Sequence, residues 1–341
     1  MRFLDVVIFG GTGFIGSHFC RHLLQEQLAR KIYLADIKPL SDEQTQNRLL
    51  REALAEGRVE FVQADVRKQI CGLPEAEIGL IANFAAIHRE PGHAAHEYYE
   101  TNIYGAENVC AWAGRVGCET IIFTSSISPY GVSEEGRDEF SLPTPVTPYG
   151  SSKLVAEKIH LGWRLSKEGR KLLIVRPGVV FGPGEGGNVT RLVRAVIRRY
   201  FLYMGNQKTR KAGGYVKELC NSIIWALGIM DAHQRPFLLY NFTMDPAPTL
   251  NEYVKTICEV AEIKRTPPHI PYQVLNLVAY LIEGIAKVLN ISQPISPVRI
   301  KKLVRSNNII PRVLKELDYK YKFTLLEAML DWKIEKIGDW K

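Results

Sequence analysis

Six short apolar runs alternate with helix-length segments through the first half of this 341-residue chain: DVVIFG (5–10), KIYLAD (31–36), VEFVQAD (59–65), IGLIANFAA (78–86), TIIFTSS (120–126) and KLLIVRPGVVFG (171–182). Strands that are apolar nearly throughout, rather than at every second residue, are buried on both faces. They belong to a parallel sheet covered by helices. The pattern therefore predicts an α/β fold with a doubly wound parallel sheet, whose ligands lie beyond the carboxyl ends of the strands. After about residue 183 the alternation loosens into a basic helix-like run, VTRLVRAVIRRYF, then a return toward the core at 215–242 and a Pro-punctuated remainder. The expected organisation is a first domain over 1–182 with the return segment 215–242, and a smaller C-terminal substrate-binding lobe from 183–214 and 243–341.

The loop after the first strand narrows the first domain to the Rossmann type. GGTGFIG places Gly10, Gly13 and Gly16 between that strand and the helical SHFCRHLLQEQL, with Thr12, Phe14 and Ile15 between the glycines. Glycines here allow a tight turn, close approach to a pyrophosphate and close helix–strand packing, with the helix N-terminus toward the phosphates. Asp36 ends the second run, twenty residues after Gly16. A carboxylate there accepts hydrogen bonds from the adenosine ribose and repels a 2′-phosphate, so the expected cofactor is NAD rather than NADP. Lys38 is the one nearby residue that pulls the other way. Asp65, followed by Val66, closes the third run, where an adenine amine could be met.

Tyr149 and Lys153 in YGSSK are spaced i and i+4, so they share one helix face. A free tyrosine, with a pKa of about 10, is a poor base at neutral pH. A lysine ammonium and an oxidised nicotinamide nearby would favour the phenolate and lower that value. Ser126, at the end of the fifth run, would stand at the same sheet edge. The trio fits hydride chemistry: Tyr149 moves the hydroxyl proton, NAD moves the hydride, and Ser126 steadies the oxygen. Lys153 can also hold the nicotinamide ribose.

Taken in order, GGTGFIG, NFAA (83–86), TN (101–102), SSISPYG, YGSSK and RPGVVFGPG (176–184) carry a family resemblance. The chain resembles the extended short-chain dehydrogenase/reductase family in its nucleotide-sugar epimerase/dehydratase branch. That resemblance implies NAD contacts from Gly10, Gly13, Gly16, Asp36, Asp65, Ala85, Lys153 and the 177–179 segment, Pro177 and Val179 included. Ala86 and Asn102 fall in the same matched motifs. Sugar 4,6-dehydratases of the family carry Thr-Asp-Glu where this chain has Ser126, Ile127 and Ser128. Loss of water needs an acid and a base, so dehydration is not expected. AAIHRE, YYETN, RPGVVFGPGEGGNV and YMGNQKTRKAGGYVKEL are similar to enzymes that interconvert N-acetylglucosamine and N-acetylgalactosamine at C4, notably those acting on the undecaprenyl-diphosphate-linked sugar. SPYG departs from the usual small-Val-Tyr-Gly, which puts Pro129 beside the substrate turn. The implied activity is an NAD-dependent 4-epimerase working through a transient 4-keto sugar on undecaprenyl diphosphate or UDP, for cell-surface polysaccharide synthesis. A 4-ketoreductase of a deoxy-sugar nucleotide, a lipid-alcohol dehydrogenase and a non-catalytic NAD-binding protein are the alternatives.

On the substrate side, the resemblance places Asn188, Arg210 and Arg299 on the sugar diphosphate, two guanidinium forks suiting a bidentate clamp. His88 follows the fourth run and could line the pocket. Lys plus Arg number 44 against 36 Asp plus Glu, a net charge of +8, which favours acidic partners. No nucleic-acid motif accompanies that charge. Six cysteines without a C-x-x-C pair or zinc-like spacing fit a reducing compartment, and no metal is expected. MRFLDVVIFGG runs straight into the first strand, so the expected location is the cytoplasm. VLNLVAYLIEGIAKVLNI (274–291) is apolar but broken by Glu283 and Lys287, which argues against a membrane span. An interfacial helix at the inner face of the cytoplasmic membrane and a helix buried in the lobe or a dimer contact both explain it. The family also implies a homodimer.

Overall fold

The computed structural model describes residues 2–75, 77–90, 92–131, 133, 135–204, 206–270 and 307–341. Seven parallel strands form the main sheet: β1 (Phe3–Phe9), β2 (Ala29–Asp36), β3 (Val59–Gln63), β4 (Ile78–Asn83), β5 (Thr120–Thr124), β6 (Lys171–Pro177) and β10 (Phe237–Phe242). Their spatial order is β10-β6-β5-β4-β1-β2-β3. The order reverses between β1 and β4, and a crevice at such a switch point is where ligands of this architecture bind.

Both faces of the sheet are sealed, as the continuous apolar runs require. Along β1, Val6 and Ile8 point into one core with Phe19, Cys20 and Leu23 of helix α1 (Phe14–Gln25), and with Leu219 and Ile223 of helix α8 (Val216–Ala232). Val7 and Phe9 point into the other, with Val109 and Trp112 of helix α5 (Gly105–Arg115) and Ala156 and Trp163 of helix α6 (Pro148–Leu165). The return segment thus supplies α8 and the edge strand β10. The apolar run at 171–182 divides at Gly178 into β6 and a short strand β7 (Val179–Phe181), which pairs with β9 (Gly213–Tyr215) rather than with the main sheet.

A third core brings together Phe181, Tyr215, Met329 and Trp332 with helices α7 (Asn188–Ile197) and α9 (Leu250–Val260). It absorbs the apolar side of the basic run. Val189, Val193 and Val196 are buried there, while Arg191 and Arg198 stay exposed. The apolar positions of α7 are thus spent inside the protein. Residues 274–291 lie outside the described residues, and among the described residues no helix is long and apolar enough to cross a membrane.

Candidate active site

Close backbone packing shapes the crevice beyond β1. Gly10 has φ +73°, and a Cβ there would stand 2.7 Å from the Ala85 amide nitrogen. A Cβ on Gly16 would lie 2.2 Å from the Gly10 carbonyl oxygen, and one on Gly13 3.1 Å from the same atom. Any side chain at Gly10 or Gly16 would push the loop off the strand end. Gly11, which the motif reading did not single out, is as confined: its Cβ would meet the Ile8 carbonyl oxygen at 2.7 Å. Gly13 then caps α1 without a side-chain hydrogen bond. The first N–H groups of an α-helix have no partner within it, so this first turn, Phe14 and Ile15 included, suits an anion such as a pyrophosphate.

The Asp36 carboxylate is aimed by the loop it serves. Thr12 donates its backbone N–H to Oδ2 at 3.2 Å, and Ile37 donates to Oδ1 at 2.7 Å. The Thr12 hydroxyl donates to the Lys38 carbonyl at 3.0 Å, so Lys38 joins through its backbone. Asp65 lies two residues past the end of β3, and Arg67 grips both carboxylate oxygens, from Nε at 2.9 Å and Nη2 at 2.7 Å. That contact holds its pKa below the ordinary value. Val66 is buried against Gly105, with its carbonyl accepting from Asn108 at 2.8 Å.

Helix α6 presents the Tyr-x-x-x-Lys pair. Thr147 caps it by accepting the Gly150 N–H at 3.1 Å, and Pro148 sits in the first turn, where its missing N–H costs nothing. Gly150, between Tyr149 and Lys153, lets the helix touch the serine turn: a Cβ there would be 2.8 Å from the Ser128 carbonyl oxygen. Ser126 is buried and donates to the Ser128 hydroxyl at 3.2 Å while accepting the Ser128 N–H at 3.1 Å. Pro129 leaves this turn regular. Ser128–Tyr130 form a 3₁₀ turn whose hydrogen bonds run from Tyr130 to Ile127 and from Gly131 to Ser128, so none needs an N–H at position 129.

Desolvation dominates the electrostatics of the trio in the protein alone. Burial pushes the Tyr149 phenol up to about 12, opposed by its hydrogen bond with Ser126 and reinforced by the Glu90 charge and Tyr98. Desolvation therefore outweighs the stabilisation expected for the phenolate in the protein itself. Lys153 is 2% exposed, with its Nζ 4.3 Å from the centre of the Phe123 ring. Burial lowers its pKa to about 7, with Glu157 opposing. Residues with partly discharged ammonium and hard-to-ionise phenol respond strongly to any added charge, because nearby charge shifts both groups in a buried site.

Two further residues tie the segment after β4 to α6. Asn102, in a π-helical turn over Glu100–Tyr104, accepts the Ile87 N–H at 3.1 Å and donates to the Ser152 hydroxyl at 2.9 Å. Ser152 in turn donates to the Tyr149 carbonyl at 2.8 Å. Tyr98, which the motif reading passed over, is buried with its ring 6.1 Å from that of Tyr149, and its hydroxyl bonds the Arg89 carbonyl. The pKa of His88 is lowered by desolvation first and by the Arg89 and Lys153 charges next. On the other side, Pro177 accepts the Ile127 N–H at 3.1 Å and Val179 donates to Ala212 at 2.8 Å.

Two of the three residues expected to meet the substrate diphosphate have partners within the protein. Asn188 opens α7 and accepts from Arg191 at 2.7 Å, and Arg210 donates to the Ala247 carbonyl at 2.6 Å. Arg299 lies outside the described residues.

Comparison with known proteins points the same way as this geometry. The model of the NAD dependent epimerase/dehydratase family matches residues 6–238. Among curated proteins, the chain is 26% identical over 328 residues to an N-acetyl-alpha-D-glucosaminyl-diphospho-ditrans,octacis-undecaprenol 4-epimerase of Escherichia coli O157:H7, covering 95% of this chain and 93% of the relative. Among solved structures, it is similar in fold to a UDP-N-acetylglucosamine 4-epimerase of Methanobrevibacter ruminantium, with a TM-score of 0.72, 19% identity and coverage of 98% and 99% of the two chains. A UDP-glucuronic acid 4-epimerase of Bacillus cereus in complex with NAD gives a TM-score of 0.73 at 16% identity, over 99% of this chain and 100% of the other.

Proposed function

The chain belongs to the NAD-dependent epimerase/dehydratase family, and we propose that it interconverts N-acetylglucosamine and N-acetylgalactosamine at C4 while the sugar is attached to undecaprenyl diphosphate or UDP, in cell-surface polysaccharide synthesis. One observation carries the reading: helix α6 presents Tyr149 and Lys153 one turn apart on one face, and Gly150 between them lets that helix pack directly onto the turn that holds Ser126. The similarity to the Escherichia coli enzyme over nearly the whole of both chains supports the undecaprenyl carrier.

The glycine cradle fits the cofactor, because the space that a Cβ at Gly10 or Gly16 would need is already filled by backbone. In this reading, the first turn of α1 holds the pyrophosphate, Asp36 the adenosine ribose and Lys153 the nicotinamide ribose. Bound NAD supplies a reversible hydride acceptor and one positive charge. Tyr149 takes the C4 hydroxyl proton and later returns it. Lys153 and Ser126 favour the phenolate against desolvation, and Ser126 also steadies the substrate oxygen. Asn188, Arg210 and Arg299 anchor the diphosphate, and His88 lines the sugar side. Ile127 and Ser128 offer no carboxylate for loss of water.

The reading extends to a homodimer, supported by the exposed apolar side chains Tyr104 and Val155 on the π turn and α6. It also places the enzyme in the cytoplasm, at the membrane face where a polyprenyl substrate would be met; the six free cysteines accord with a reducing compartment. Purified protein given UDP-linked and polyprenyl-diphosphate-linked N-acetylglucosamine in parallel should yield a product of unchanged mass without added NADH. Stoichiometric NAD(P)H consumption would select a 4-ketoreductase instead.

A further inference from the structure

Behind the trio lies a polar cluster that the proposed chemistry does not use. Glu157 follows Lys153 by one turn on α6. Its carboxylate accepts from Arg176 Nε at 2.8 Å and Nη2 at 2.6 Å, and from the Ser125 hydroxyl at 2.5 Å. The third guanidinium nitrogen of Arg176 donates to the Tyr130 hydroxyl at 2.7 Å, and that hydroxyl donates to Asn241 Oδ1 at 2.9 Å. All five residues are buried, none more than 4% exposed.

Stability alone is a weak account of such a cluster. Desolvating two charges roughly cancels their attraction, and a buried ion pair can often be exchanged for apolar residues without loss. What a fully satisfied buried network does supply is rigidity. Here it grips both ends of the serine turn. Ser125 is the residue before Ser126, and Tyr130 closes the 3₁₀ turn that begins at Ser128. The backbone between them is pinned as well: Ser125 donates to the Val175 carbonyl at 2.7 Å and Ile127 to Pro177 at 3.1 Å. In extended chain, neighbouring side chains point to opposite sides. Fixing Ser125 toward Glu157 therefore sends the Ser126 hydroxyl the other way, where it bonds Ser128, whose carbonyl packs against Gly150 beside Tyr149.

We propose that Glu157 and Arg176 are positioning residues that hold Ser126, Tyr149 and Lys153 in one fixed register, acting through Ser125 and Tyr130 rather than on the substrate. This inference rests on the reading of those three residues as catalytic. Glu157 also faces Lys153 electrostatically. The other titratable groups coupled to that lysine are His160 on the same helix and His88 after β4, while Ser126, Glu90 and Tyr98 face the phenol. Glu157 raises the lysine's pKa, so removing its charge lets burial lower it further.

The test compares Glu157→Gln, Ser125→Ala and Tyr130→Phe with Ser126→Ala in the full-length enzyme. Glu157→Gln should lower kcat about a hundredfold, the scale of a small misplacement of reacting groups, with KM and retained NAD near wild type. The limb of its pH profile set by loss of the Lys153 charge should move to lower pH. Ser125→Ala removes one hydrogen bond and should lower kcat about tenfold, the scale of a net contribution near 1.4 kcal/mol, and Tyr130→Phe removes two and should lower it at least as much. An impaired Ser126→Ala beside unchanged kcat and pH profile in Glu157→Gln, or in both hydroxyl-deletion variants if Glu157→Gln does not fold, overturns the inference alone. An unimpaired Ser126→Ala overturns the catalytic trio and the inference with it.

Discussion

The two walls of the crevice are made differently. On the cofactor side, backbone meets backbone: Gly10, Gly11 and Gly16 leave no space for a Cβ, and Thr12 and Ile37 aim the Asp36 carboxylate. On the side we propose for the substrate, the groups are polar side chains with partners of their own, Arg210 on the Ala247 carbonyl and Asn188 on Arg191. A wall of backbone fixes one ligand. A wall of jointed side chains can be retuned among diphosphate-linked sugars while the chemistry stays the same. The difference predicts that mutations on the first wall abolish function through cofactor or fold, and those on the second change which substrate is used and how well.

The largest effect should come where the walls meet. Tyr149→Phe removes the proton carrier and should lower kcat by about 10²–10⁴ with NAD still bound, as measured by turnover and by nucleotide released on denaturation. Gly150→Ala should be nearly as damaging, because its Cβ would lie 2.8 Å from the Ser128 carbonyl and must part α6 from the serine turn. A Gly150→Ala enzyme with ordinary kcat would break the account of how the trio is assembled. On the substrate wall, Arg210→Ala should raise KM about 10–100-fold and leave NAD content alone, the scale for a charged hydrogen bond. Equal loss of NAD would show that the two walls are not separate.

Smaller effects sharpen the electrostatics. The Ser126 hydrogen bond lowers the Tyr149 pKa against burial. In Ser126→Ala the phenol pKa must therefore rise, and the limb of the activity profile set by its ionisation should move to higher pH. A shift to lower pH would contradict the assignment. The weakest expected effect is association with anionic liposomes at low salt, read by flotation. Failure to float would remove the membrane-face proposal without touching the chemistry.

The fold was legible because burial on both faces leaves a mark in the sequence: continuous apolar runs such as KIYLAD and IGLIAN became β2 and β4. Gly10, Gly13, Gly16 and the i, i+4 pair were legible because close approach and helical spacing restrict residue type locally. What stayed hidden depends on distant pairs. Glu157 reads as an ordinary helix acid until Arg176, nineteen positions on, closes over it. Tyr98 gave a faint signal in YYETN, but nothing in its spacing announced a ring 6.1 Å from Tyr149.

The most direct measurement follows the hydrogen at C4. Substrate carrying deuterium at C4 of N-acetylglucosamine, on either carrier, should give an N-acetylgalactosamine product that retains the label, with no mass change and no NADH appearing in solution. Label lost to solvent, or NADH released in proportion to product, would contradict an internal hydride cycle centred on Tyr149.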